Sequence, residues 1–104
     1  MVNFVFTEGT GSRRRPVVLM SSDAYHRGRQ EAIVAAITSN TERLLVGDSV
    51  VGDWRAAGLL FPSVVTGILR TIKQNMVTRK LGSLSQDDME NVQNEVKLSL
   101  GLAG

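Results

Sequence analysis

Three consecutive arginines, Arg13, Arg14 and Arg15, stand directly before Pro16 and a run of apolar, β-preferring residues. A guanidinium presents paired N–H donors that fit a phosphate through two parallel hydrogen bonds, and it stays charged at physiological pH. The residue before a proline is biased toward extended backbone, so Arg15 is the most constrained of the three. Alternate strand residues face opposite sides, so at most two of the arginines share a face with any one ligand. A run of arginines alone is more often a solvated or partner-binding patch than a catalytic one. Thr38 and Ser39 end an otherwise apolar stretch, where hydroxyls commonly cap turns. A functional reading needs Thr38 to lie next to Arg15, which adjacent strands would permit. Glu8 is the carboxylate of the arginine loop and serves either as a base or as a loop charge. His26 is the only imidazole in the chain, which excludes any mechanism needing two histidines. Flanked by Arg27 and Arg29 in a polar stretch, it is expected to be exposed rather than catalytic. Trp54 could stack on a base, but beside "AAGLLF" a large aromatic is more often core or interface.

The elements that must position these groups are read from periodicity. "VNFVF" (2–6) is expected as a short strand, "TEGTGS" (7–12) as a loop, and "PVVLMSS" (16–22) as a second strand with Pro16 at its entrance. "DAYHRGR" (23–29) is turn-like with room for one helical turn. "EAIVAAITS" (31–39) is nearly continuous apolar residue and predicts a central strand buried on both faces, followed by "RLLVGDSVV" (43–51), a strand interrupted at Gly47-Asp48. "GDWRAAGLLFPS" (52–63) is irregular, "SVVTGILRTI" (63–72) alternates as a strand with Gly67 marking a bulge or close approach, and "MVTRKLG" (76–82) is a last strand. The period then changes. Ser85 is a good N-cap, Leu84 and Met89 can form a hydrophobic staple, and Met89, Val92, Val96 and Leu100 repeat at helical spacing before Gly101. A mainly β fold follows, a small and partly closed antiparallel barrel with a C-terminal α-helix.

The totals narrow the function classes. At 104 residues the chain is expected to be one domain. Without cysteine it has no disulfide, thiolate nucleophile or cysteine-ligated metal, and no Asp/Glu/His grouping has metal-ligand spacing, so no cofactor is expected. No stretch reaches the ~18 apolar residues of a membrane span and no signal-peptide layout opens the chain, so a cytoplasmic protein without a membrane partner is expected. Net charge is +2, but residues 1–80 carry eleven Lys/Arg against six Asp/Glu, and residues 81–104 one against four. A basic body with an acidic tail directs attention to nucleic acid or another polyanion.

"SRRRPVVLMSSDAYHRGRQEAIVAAITSN" (12–40), "VGDWRAAGLLFPSVV" (51–65), "ILRTI" (68–72) and "RKLGSLS" (79–85), in this order, closely resemble the MazF/PemK-type toxins of bacterial toxin–antitoxin pairs. The resemblance implies a homodimer of SH3-like, CcdB-type barrels. It further implies a metal-independent, sequence-selective endoribonuclease that cuts single-stranded RNA and is neutralised by a cognate antitoxin, with DNA bound through the antitoxin complex. In such toxins the arginine before the proline and the threonine ending the later buried strand carry catalysis, which by position are Arg15 and Thr38. Arg13, Arg14, Ser39, His26 and Arg27 would contact RNA. The proton carrier stays open between Glu8, His26 and water, because an arginine is a poor acid or base near neutrality. Members of that family open with a basic stretch containing "GD", whereas here Met1 stands almost directly before "VNFVF", so a shortened first strand is expected. A non-catalytic toxin on the same fold, acting by protein binding as a topoisomerase poison does, is the alternative.

Overall fold

The computed structural model describes residues 3–9, 11 and 14–102. Its strands are β1 (Phe4–Glu8), β2 (Arg15–Leu19), β3 (Glu31–Thr38), β4 (Ser49–Val50), β5 (Val64–Lys73) and β6 (Val77–Ser83). They form one sheet in the order β4-β5-β3-β2-β1-β6, and every pairing is antiparallel. A single helical turn α1 (Asp23–His26) joins β2 to β3, and a helix α2 (Gln86–Ser99) follows β6. The sheet curls without joining β4 to β6, so the barrel is partly closed.

β1 lies two residues later than its apolar run predicts, because Thr7 and Glu8 continue the ladder on both sides, opposite Pro16 and Arg15 in β2 and Arg79 and Val77 in β6. β2 pairs with β3 only from Val17 onward, past the proline that has no N–H to give. β3 is central, as its apolar composition predicts, with β2 on one side and β5 on the other. The expected strand over 43–51 reduces to Ser49–Val50. Gly47 takes a positive φ of 100°, and the Asp48 carboxylate closes the turn by accepting from the Leu45 N–H at 2.9 Å. Those local bonds leave Leu44, Leu45 and Val46 exposed instead of paired.

One face of the sheet packs on α2 and the 51–59 segment through Val5, Val18, Ala35, Val65, Ala57, Leu84, Met89 and Val92. The helix starts as its sequence predicts, with Ser85 Oγ accepting from the Asp88 N–H. Its apolar stripe is shorter than predicted: Val96 packs against the core, but Leu100 is 57% exposed. Asp88 is 7% exposed, and its two carboxylate oxygens accept the Gly52 and Asp53 N–H groups, each at 3.0 Å. It thereby ties the irregular 51–59 segment to the helix N-terminus.

Gly67 is the close approach that its place in a strand signals: a Cβ there would lie 3.1 Å from the Gly47 Cα. β5 bulges at this point, between the pairs Ala35↔Leu69 and Ile37↔Val65. The groups freed from the ladder are satisfied locally. Thr66 Oγ1 donates to the Ala36 carbonyl at 2.7 Å, and the Gly67 N–H donates to the Asp48 carboxylate at 2.9 Å.

Candidate active site at the β2–β3 edge

Val17 faces Ala36 in the β2–β3 ladder, and that register continued by two residues sets Arg15 opposite Thr38. Glu8 is paired with Arg15 from the other side. Directly opposed residues share a sheet face, so β1, β2 and β3 bring Glu8, Arg15 and Thr38 to the same one. A cleft of about 780 Å³ opens here, lined by Arg15, Thr38 and Ser39 together with Arg70, Arg79 and Phe61.

Arg15 is exposed, and among the described residues its guanidinium has no ion-pair partner. Thr38 Oγ1 accepts from the Asn40 N–H at 3.1 Å, so the turn-capping reading of this hydroxyl holds. That bond occupies a lone pair and leaves the hydroxyl proton to be donated into the cleft. An unpaired guanidinium facing a hydroxyl donor is an arrangement suited to an anion.

Glu8 occupies a different place from the one its loop position suggests. It is 6% exposed and accepts from the Arg70 guanidinium at 3.0 Å, while the Arg70 side chain remains 46% exposed. Glu8 therefore anchors Arg70, and Arg70 lines the cleft. Arg70 and Arg79 are two basic residues that sequence reasoning passes over. Arg70 was visible only as one residue of an alternating strand, and Arg79 as part of a basic pair. Only the pairing of Thr7 with Arg79 and the curl that brings β5 onto Glu8 place them beside Arg15.

The other expected residues lie apart from this cleft. His26 is half-buried rather than exposed: its Nε2 is 2.6 Å from Ser21 Oγ, which also accepts from the Ile33 N–H at 2.9 Å. The Ser21 hydroxyl buried under α1 gives the imidazole a partner, and so a structural place, that the polar flanking sequence hides. Arg27 and Arg14 are exposed and do not line the cleft. Arg13 lies outside the described residues. Trp54 is half-buried against the core with Arg55 stacked on its ring at 4.7 Å. Among the described residues no three His, Asp or Glu side chains group as a metal site, and no helix is long and apolar enough to cross a membrane.

Six antiparallel strands in one partly closed sheet, followed by a C-terminal helix, make a small β-barrel with a basic cleft at one edge. The chain belongs to the family of PemK-like, MazF-like toxins of type II toxin–antitoxin systems, whose family model matches residues 1–100. It is 32% identical over 89 residues to the endoribonuclease EndoA of Bacillus subtilis, covering 85% of this chain and 77% of that protein. It is 33% identical over 89 residues to the endoribonuclease MazF of Staphylococcus saprophyticus, covering 85% and 74%. Among solved structures, a mycobacterial endoribonuclease in complex with its cognate antitoxin superposes with a TM-score of 0.80 at 19% identity, covering 98% of this chain and 95% of that one. The Mycobacterium tuberculosis toxin MazF-mt6 superposes with a TM-score of 0.79 at 23% identity, covering 94% and 96%. These two likenesses establish the shared fold.

Proposed function

We propose that the chain is the toxin of a type II toxin–antitoxin pair and acts in the cytoplasm as an endoribonuclease on single-stranded RNA. The observation that carries this reading is that Arg15 and Thr38 line one cleft, where among the described residues the guanidinium has no ion-pair partner and the threonine hydroxyl accepts from the Asn40 N–H. The matched endoribonucleases support the choice of RNA as substrate.

The chemistry uses the substrate's own nucleophile. The ribose 2′-oxygen attacks the adjacent phosphorus, a P–O2′ bond forms, and the P–O5′ bond breaks. The products are a 2′,3′-cyclic phosphate and a 5′-hydroxyl, and DNA, lacking the 2′-hydroxyl, is not cut. Negative charge accumulates on the non-bridging oxygens in the transition state. Arg15 clamps them through parallel N–H donors, and Thr38 adds an O–H donor. Arg70 and Arg79 hold flanking phosphates, and Ser39 contacts the nucleotide beside Thr38. Glu8, buried on Arg70, acts by positioning that guanidinium, which leaves solvent water to move the protons.

A homodimer and an acidic antitoxin segment complete the reading. Exposed Val46, Val50, Leu98 and Leu100 offer an apolar surface for a second copy, and the basic cleft suits an acidic peptide. The test is incubation of the protein with varied single-stranded RNAs in EDTA, followed by chemical analysis of the ends. Cyclic-phosphate ends, lost when the cut nucleotide is 2′-deoxy, are the expected outcome. No cleavage across the set by an intact dimer would replace this reading with that of a toxin that acts by binding a protein.

A further inference from the structure

Beside the arginine cleft lies a second hollow of about 390 Å³, lined by Ser39, Thr41, Phe61 and Pro62. Ser39 and Phe61 line both, so the two adjoin. Phe61 is 62% exposed, an unusual position for a phenylalanine in a turn beside a cluster of arginines. The backbone beneath the ring is fixed: Ser63 Oγ donates to the Phe61 carbonyl at 2.8 Å, and Pro62 locks the next φ.

The facing wall is equally set. The Asn40 N–H donates to Thr38 Oγ1, and the Glu42 N–H donates to Asn40 Oδ1 at 3.2 Å, so two side-chain-closed turns follow one another. They hold Ser39 and Thr41 at the hollow. Among the described residues neither of these hydroxyls has a hydrogen-bond partner, although both residues are exposed.

We propose that this hollow is a subsite for one nucleobase, with Phe61 as its stacking platform and the Ser39 and Thr41 hydroxyls reading the base edge. The proposal rests on the endoribonuclease reading above, since the nucleotide it holds is the neighbour of the phosphate clamped by Arg15 and Thr38. The ligand chemistry follows from three features: an exposed ring and hydroxyls with no hydrogen-bond partner among the described residues at the hollow, and guanidinium charge in the adjoining cleft. Stacking accepts any base, because every base has a π-face. Each hydroxyl can donate or accept, so discrimination comes from the fixed positions of the pair, which favour a base whose edge sets polar groups opposite both. Phe61 thus supplies affinity, and Ser39 with Thr41 supplies discrimination.

Cleavage kinetics on an RNA library randomised around the cut, for the wild type, Phe61→Ala, Phe61→Trp and the double variant Ser39→Ala/Thr41→Val, test this division. Phe61→Ala is expected to raise KM roughly 5- to 150-fold, the equivalent of one lost base–aromatic stack, with kcat little changed. Phe61→Trp should keep KM near the wild-type value. The double variant should flatten base preference at one position beside the cut and leave the others as they were. An unchanged KM for Phe61→Ala overturns the subsite, as does a fall in its sedimentation coefficient, which would assign the ring to contact with a second copy. A wild-type protein that leaves RNA intact removes the parent reading and the subsite with it, whereas a wild type that cuts beside an unaffected Phe61→Ala removes the subsite alone.

Discussion

In the proposed reaction Arg15 and Thr38 would divide one task according to their chemistry. The arginine brings charge and a planar fork, and the threonine brings a single neutral donor oriented by the Asn40 N–H on its other side. Arg15→Ala should lower kcat on the order of 10²- to 10³-fold, as the loss of one donor aimed at developing charge does, and Arg15→Lys should restore little because it keeps charge without the fork. Thr38→Val should cost less than Arg15→Ala in single-turnover cleavage, since it removes a neutral hydrogen bond rather than an ion. The Glu8–Arg70 pair makes an asymmetric prediction. Arg70→Ala strands a carboxylate that is 6% exposed and should destabilise by about 3 kcal/mol. Glu8→Ala frees a guanidinium whose side chain is already 46% exposed and can turn to water, so about 1 kcal/mol is expected. Urea denaturation of the two single variants checks the order, and equal losses would contradict the burial argument. At this scale the sequence sets Arg15, Thr38 and Ser39 at strand ends, and all three line the cleft; their roles toward RNA rest on the family resemblance and belong to the proposal. Arg70, Arg79 and Phe61 are hidden, because their roles depend on which distant strand or turn curls toward the cleft.

The elements hold the site by a few cross-ties. Asp88 is the strongest, with two backbone N–H groups bonded to one buried carboxylate. Asp88→Ala should destabilise by about 3 kcal/mol, from two charge-assisted bonds lost in a buried place, and should loosen amide protection at Gly52 and Asp53 in hydrogen exchange. Ser85 and the acidic first turn make the helix start readable from sequence, but the same motif gives no hint that the Asp88 carboxylate leaves its own helix for the 52–53 turn. The expected strand over 43–51 fails for a similar reason: Asp48 satisfies Leu45 and Gly67 N–H groups, so local and cross-element bonds displace a ladder that apolar composition alone would favour. At the far end of the sheet Glu31 and Lys73 are paired across β3 and β5 at 3.2 Å. The hydrogen bond from Lys73 holds the Glu31 carboxyl below the ordinary value of 4.5. A carboxyl whose folded value is lowered lends stability above its unfolded value and loses it as pH falls through the folded one. Nuclear magnetic resonance titration should find Glu31 below 4.5 and returning toward it in Lys73→Met, an effect confined to acid pH. A titration unaffected by that substitution would remove the pairing.

Over the whole molecule the sheet order sets two exposed surfaces apart. Arginines gather at the cleft between β2, β5 and β6, while Val46, Val50, Leu98 and Leu100 stand exposed where the 44–50 turn meets the end of α2. The Gly47 N–H donates to the Glu95 carboxylate at 3.1 Å, which joins those two pieces into one surface. A second copy seated there would cover it, and sedimentation should find a dimer at micromolar concentration that Leu98→Asp shifts toward monomer. A monomer under those conditions would contradict the proposed assembly. The partly closed barrel and its central β3 were legible from alternation and apolar runs. The curl that closes Arg70 onto Glu8 was not, because it depends on the β5 bulge at Thr66–Ile68, where only Gly67 leaves a mark in the sequence.

The central claim is that Arg15, opposed to Thr38, cuts RNA without a metal. Its most direct test is single-turnover cleavage of a long single-stranded RNA in EDTA by the wild type and by Arg15→Ala, with folding of both verified by thermal denaturation. Discrete cuts by the wild type are expected, with a rate on the order of 10²- to 10³-fold lower for the folded variant. Cleavage by folded Arg15→Ala at the wild-type rate would contradict that claim.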